Sequence, residues 1–139
     1  MNIEVNWLAV LLATASSMVV GSIWYTPKVF GNTWMKLAKV DPKAAEKSGM
    51  KPILVTLLVS LVTAYVLAHV AFLSNNYFGN SFLMDSLSTA FWVWLGFAAA
   101  RFITHDAFEG RPAKLTTINV AHELVTLLVM GAIIGWMGV

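Results

Sequence analysis

The chain has 139 residues, 58% apolar and 12% charged, with a net charge of +2 and a mean hydropathy of +0.73. Soluble domains run about 45–50% apolar and about a quarter charged, so a soluble fold of this size is excluded and the chain reads as one integral membrane domain over residues 1–139. The absence of Cys excludes disulfides, thiol chemistry and iron–sulfur clusters, and a basic excess confined to two loops and their flanks marks membrane topology, not nucleic-acid binding.

The first apolar segment spans about 6–25. Met1 to Trp7 carries no Lys or Arg and holds Glu4, and the apolar run continues past Ala13-Thr14-Ala15, so this span is expected to be retained and not removed as a signal peptide. Ala9, Ala13, Ser17 and Gly21 follow at four-residue spacing and form one narrow stripe of small residues. Such stripes let helix backbones approach closely in lipid, where the hydrophobic drive between helices is weak.

Loop one follows. Thr26-Pro27 has the form of a helix start, with Thr as cap and Pro at the first helical position. Phe30, Trp34 and Leu37 then share one face, with Lys36 and Lys39 on the other. This spacing predicts a short amphipathic interfacial helix over about 27–40, lying in the membrane surface beside anionic lipid headgroups.

Further apolar segments lie at about 52–73, 82–104 and 115–137. Each is near the ~20 residues that carry a helix across the hydrocarbon core. The second carries Thr56, Ser60, Ala64 and Ala68 as its small stripe, the third Gly96 and Ala100, and the fourth Gly131 and Gly135. The expected fold is all-α: an integral membrane four-helix bundle with an interfacial helix in the first cytoplasmic loop. The repeated stripes also suit contact with a second copy, so a homo-oligomer is expected.

Charge sets direction. Loop one and its flanks hold Lys28, Lys36, Lys39, Lys43, Lys47 and Lys51, and loop three with its flanks holds Arg101, Arg111 and Lys114, whereas the "SNNYFGN" loop holds no Lys or Arg. The positive-inside rule places loops one and three in the cytoplasm and both termini outside.

The fourth span carries an unusual group: Asn119, His122 and Glu123 within two turns. Glu123 lies eight residues past Leu115, about 12 Å into the membrane at 1.5 Å per residue. A carboxylate at that depth must face protein or water, be paired, or be protonated. Arg101 near the inner end of the third span is a candidate partner; His122 and Asn119 are nearer ones for sharing the Glu123 proton. His69 and Asp85, near the outer ends of their spans, form a candidate outer polar pair. No metal and no cofactor is expected: His69 and His122 differ too far in depth, and His105, Asp106 and Glu109 lack ligand spacing. "HEL" lacks a second His at i+4, where Thr126 stands, and no nucleophile–base pair or phosphate loop occurs, so an enzyme is not expected.

Four segments together resemble one small bacterial membrane family: "GSIWYTPKVFGNTWMK", "FITHDAFEGRP", "NVAHEL" and "MGAIIGW". The most specific part is Trp24, Tyr25, Pro27, Phe30, Gly31 and Trp34. The family is catalogued as domain of unknown function 1761. The resemblance implies a four-helix membrane protein and brings no catalytic residue or substrate. It suggests a bacterial cytoplasmic membrane as the location. The expected function, because it makes the fewest demands, is a structural or accessory bundle that contacts lipids or partners; the alternative is a small proton- or cation-linked transporter or channel with its polar site on the fourth helix.

Overall fold

A computed structural model describes residues 4–138; residues 1–3 and 139, the edges of the expected domain, lie outside the described residues. The described chain is helical. Four helices are long and apolar enough to cross a membrane.

The first is α1 (Trp7–Trp24). Its start is capped by Asn6, whose Oδ1 accepts from the Ala9 amide at 3.1 Å, satisfying one of the orphan donors of a helix N-terminus. Two short helices follow in loop one, α2 (Gly31–Leu37) and α3 (Pro42–Ser48). The second span is α4 (Lys51–Phe78). It runs past the expected boundary because Ser74-Asn75-Asn76 leaves the apolar zone without breaking the helix. It stops at Gly79, whose φ of 68° is the left-handed conformation that glycine adopts without strain.

The third span has three parts. Helix α5 (Phe82–Val93) passes into a π-helical turn over Trp94–Ala99, then into α6 (Ala100–Phe108). The fourth span is α7 (Ala113–Met137).

The spans form a closed ring in the order α1, α4, α5, α7, with α7 returning to α1. The ring closes at one end through Asn6, whose Nδ2 donates to the Met137 carbonyl at 3.3 Å. Its core joins Val10 and Ala13 of α1, Ala64, Leu67 and Ala68 of α4, Ala90 of α5, and Leu127, Met130 and Ile134 of α7.

Small residues make the close contacts in three of the four spans. Ala9, Ala13 and Ser17 are buried, as are Ser60, Ala64 and Ala68; Thr56 is exposed. A Cβ on Gly135 would sit 2.7 Å from Leu83 Cα, and one on Gly131 would sit 3.1 Å from the Ser86 carbonyl oxygen. These two glycines therefore set the spacing of α5 and α7. The third-span stripe fails: Gly96 and Ala100 are both exposed. The π turn is the cause. Each π turn takes an extra residue, which rotates everything after it about 100° around the axis relative to an uninterrupted α-helix. Trp94 holds this turn against α7 by donating its indole N–H to the Val120 carbonyl at 2.9 Å.

Beyond the π turn the bundle opens at the end that carries the basic loops. Every residue from Lys51 to Val59 is exposed, and so is every residue from Ala100 to His105. Helix α6 stays beside α7, where Thr116 donates to the buried Asp106 carboxylate at 2.7 Å. The first half of α4 therefore stands away from its neighbours, and a cleft remains between it, α1 and α7.

Candidate ligand-binding cleft

The segment after α1 reaches this cleft through Tyr25. Helix α1 ends at Trp24, and the chain reverses through a tight turn in which the Phe30 amide donates to the Trp24 carbonyl at 3.1 Å and the Gly31 amide to the Thr26 carbonyl at 2.8 Å. The turn is packed so closely that a Cβ on Gly31 would collide with the Tyr25 carbonyl oxygen and lie 2.7 Å from that of Thr26. The helix expected over 27–40 is accordingly shorter, Gly31–Leu37: Thr26 and Pro27 belong to the turn, not to a helix start. Phe30, Trp34 and Leu37 are half-buried, whereas Lys36 and Lys39 are exposed.

The apolar face of α2 meets α7. Trp34 Nε1 donates to Asn119 Oδ1 at 3.0 Å, and the Tyr25 hydroxyl donates to the same oxygen at 3.1 Å. The rings stack around this point. Tyr25 lies 5.3 Å from Trp34 and 5.0 Å from His122, centroid to centroid, and Trp24 lies 4.8 Å from Phe30. Asn119 is thus satisfied by loop one, not by Glu123.

Glu123 takes a different partner. Its Oε1 lies 3.3 Å from His122 Nδ1, and His122 Nε2 lies 3.4 Å from the Thr126 hydroxyl. One tautomer satisfies both contacts: Nδ1–H donates to the carboxylate and the Thr126 hydroxyl donates to Nε2. A singly protonated imidazole suffices. Glu123 is ten residues past the start of α7, or about 15 Å along it. Among the described residues no Lys or Arg pairs with it. An unmatched carboxylate at such depth costs at least about 2.5–3.5 kcal/mol.

The expected Arg101–Glu123 contact is absent because α6 carries Arg101 to another face. There it borders a groove with Phe97, Phe102 and His105. The expected outer pair is not formed either. His69 Nδ1 contacts the Tyr65 carbonyl of its own helix at 2.9 Å. Asp85 instead accepts from Asn75 Nδ2 at 2.8 Å, Asn80 Nδ2 at 2.9 Å and the Asn80 amide at 3.2 Å. Buried under the "SNNYFGN" segment, Asp85 ties the end of α4 to the start of α5.

The cleft itself has a volume of about 480 Å³. Glu123, His122 and Thr126 form its floor on α7; Ser17, Gly21 and Tyr25 contribute from α1; Ile53, Thr56, Val59, Ser60 and Thr63 form the wall on α4. Gly21 faces His122: a Cβ there would stand in ordinary contact, 3.5 Å from the imidazole Nε2. Sequence reasoning singled out Asn119, His122 and Glu123 as a polar group and named Ser17, Gly21, Thr56 and Ser60 only as packing residues; it gave Tyr25 and Thr126 no part in the site. The signal for Tyr25 was present in the "WYTPKVFG" segment, whose specificity charge patterning does not explain.

Four helices long and apolar enough to cross a membrane suggest a multi-pass membrane protein, and an apolar-walled cleft with a few converging polar groups between them is its candidate binding site. The chain belongs to the family described as "Protein of unknown function (DUF1761)", whose model matches residues 8–135. No curated protein and no solved structure matches it.

Proposed function

We propose that the protein is a small proton- or cation-linked transporter whose site is the Glu123–His122 cleft. The observation that carries this reading is the cleft itself. A polar pair that only fixed helix register would be packed shut, because protein interiors tolerate few voids larger than a water molecule. Here about 480 Å³ stands open against Glu123, His122 and six hydroxyl-bearing side chains. Placement of a bound group near mid-membrane, where discontinuous or splayed helices leave room, suits the general design of secondary transporters. The charge pattern of the loops supports an orientation with loops one and three in the cytoplasm and both termini outside, in the cytoplasmic membrane of a bacterium.

The test is chemical. Dicyclohexylcarbodiimide, an apolar carboxyl reagent, should form an N-acylurea adduct at Glu123 in the protein reconstituted in lipid, and a water-soluble carbodiimide should not. In liposomes carrying an internal pH dye, the protein should support proton flux that Glu123→Gln abolishes without loss of fold. Equal flux in wild type, Glu123→Gln and empty liposomes, with no adduct at Glu123, would sink the proposal.

A second reading is an accessory bundle that assembles as a homo-oligomer on lipids or partners. The fully exposed stretches Lys51–Val59 and Ala100–His105 favour it, since two helix faces are left without a neighbour at the same end of the bundle.

A further inference from the structure

We infer that the cleft takes a monovalent organic cation with an apolar body, an amine or quaternary ammonium. This rests on the reading of the cleft as a binding site and specifies what it binds.

Four observations converge. First, Glu123 is the one formally charged side chain on the wall other than a histidine, and no Lys or Arg lines the cleft. Second, three of the hydroxyls there have already donated their protons to their own helices. Ser17 donates to the Thr14 carbonyl at 2.7 Å, Thr56 to the Pro52 carbonyl at 2.8 Å and Thr63 to the Val59 carbonyl at 2.9 Å. What they offer a ligand is oxygen lone pairs. Third, Tyr25 is among the lining residues, and an aromatic ring attracts a cation that has left water. Fourth, the rest of the lining is apolar: Met18, Ile53, Val59, Leu127 and Met130 among others. A wall dominated by acceptors and a carboxylate repels anions and offers a neutral acceptor ligand few donors. A bare metal ion would leave most of the volume empty. A cation with an apolar body fills the space and supplies the charge that Glu123 lacks.

The way in is lateral. The exposed first half of α4 flanks the cleft, so a ligand dissolved in the adjoining leaflet reaches Glu123 without crossing the ring.

The experiment uses the full chain in lipid nanodiscs, with radiolabelled benzyltrimethylammonium as the probe and neopentylbenzene, its neutral isostere, as competitor. Empty nanodiscs give the background. We expect saturable binding that falls about tenfold, equivalent to about 1.4 kcal/mol, in Glu123→Gln. Ser60→Leu, which fills the cleft without touching the carboxylate, should lose binding as well, and neopentylbenzene should compete poorly. Size-exclusion profiles report whether each variant folds. If neopentylbenzene competes as well as unlabelled cation, or Glu123→Gln binds like wild type, the cation class is wrong while the cleft remains a binding site. If no saturable binding occurs although dicyclohexylcarbodiimide labels Glu123, the cation class again falls alone. If neither binding nor labelling occurs, both readings fall together.

Discussion

Trp34 donates its indole N–H to Asn119 at 3.0 Å across 85 residues of chain. This bond joins the most specific segment of loop one to the polar group of the last span, and Tyr25 reaches the same oxygen. Two donors on one acceptor make Asn119 the anchor of the loop. We expect Asn119→Leu to strand both donors at a cost of roughly 1–2 kcal/mol, whereas Asn119→Asp keeps an acceptor in place. Trypsin should then cut after Lys36 and Lys39 faster in Asn119→Leu than in wild type or Asn119→Asp. Equal cleavage of all three would show that the bond does not hold the loop.

The glycines divide by what a Cβ would meet. Gly31→Ala and Gly135→Ala should each destabilise the protein by roughly 1–3 kcal/mol, the usual range for overpacking, because backbone atoms stand in the way. Gly96→Ala meets nothing within 4 Å and should leave thermal unfolding in detergent unchanged. A loss at Gly96 as large as that at Gly135 would contradict the packing described here.

Asp85 should behave as the clamp of loop two. Asp85→Ala removes the acceptor for Asn75 and for both Asn80 donors and should lower the unfolding midpoint, with Asp85→Asn falling between it and wild type. His69→Ala, which breaks only a contact within its own helix, should have the smaller effect. The reverse order would restore the His69–Asp85 pair suggested by the sequence.

For orientation, single cysteines at Asn76 and Lys43 should label oppositely in intact cells. An impermeant maleimide is expected to reach Asn76→Cys and not Lys43→Cys. The opposite pattern would invert the topology.

The spans were legible because apolar length and interrupting charge are local properties of sequence. Their ends shifted most where polar residues such as Asn75 or His105 continue a helix beyond the apolar zone. The π turn at Trp94–Ala99 was not legible. Nothing in "WLGFAA" distinguishes it from α-helix, and it depends on Trp94 finding the Val120 carbonyl. That one irregularity moved Gly96, Ala100 and Arg101 off their expected faces. At the site, His122 lies against Glu123, whereas Asn119, the other candidate for the Glu123 proton, is taken by Tyr25 and Trp34. Spacing along one helix states which residues share a face. It carries no information about a loop almost a hundred residues away folding back to take the contact first.

The bond from Asn6 to the Met137 carbonyl puts the start of α1 beside the end of α7, and the ring of spans has no natural first member. Chain order is therefore separable from architecture. A circular permutant joined by a short linker between those helices and opened within Pro42–Ser48, where every residue is exposed, would reach the same ring with its ends moved to the opposite side. It would keep α2 on Asn119 and the cleft intact, and would offer a handle for fusing reporters at the face that carries the basic loops.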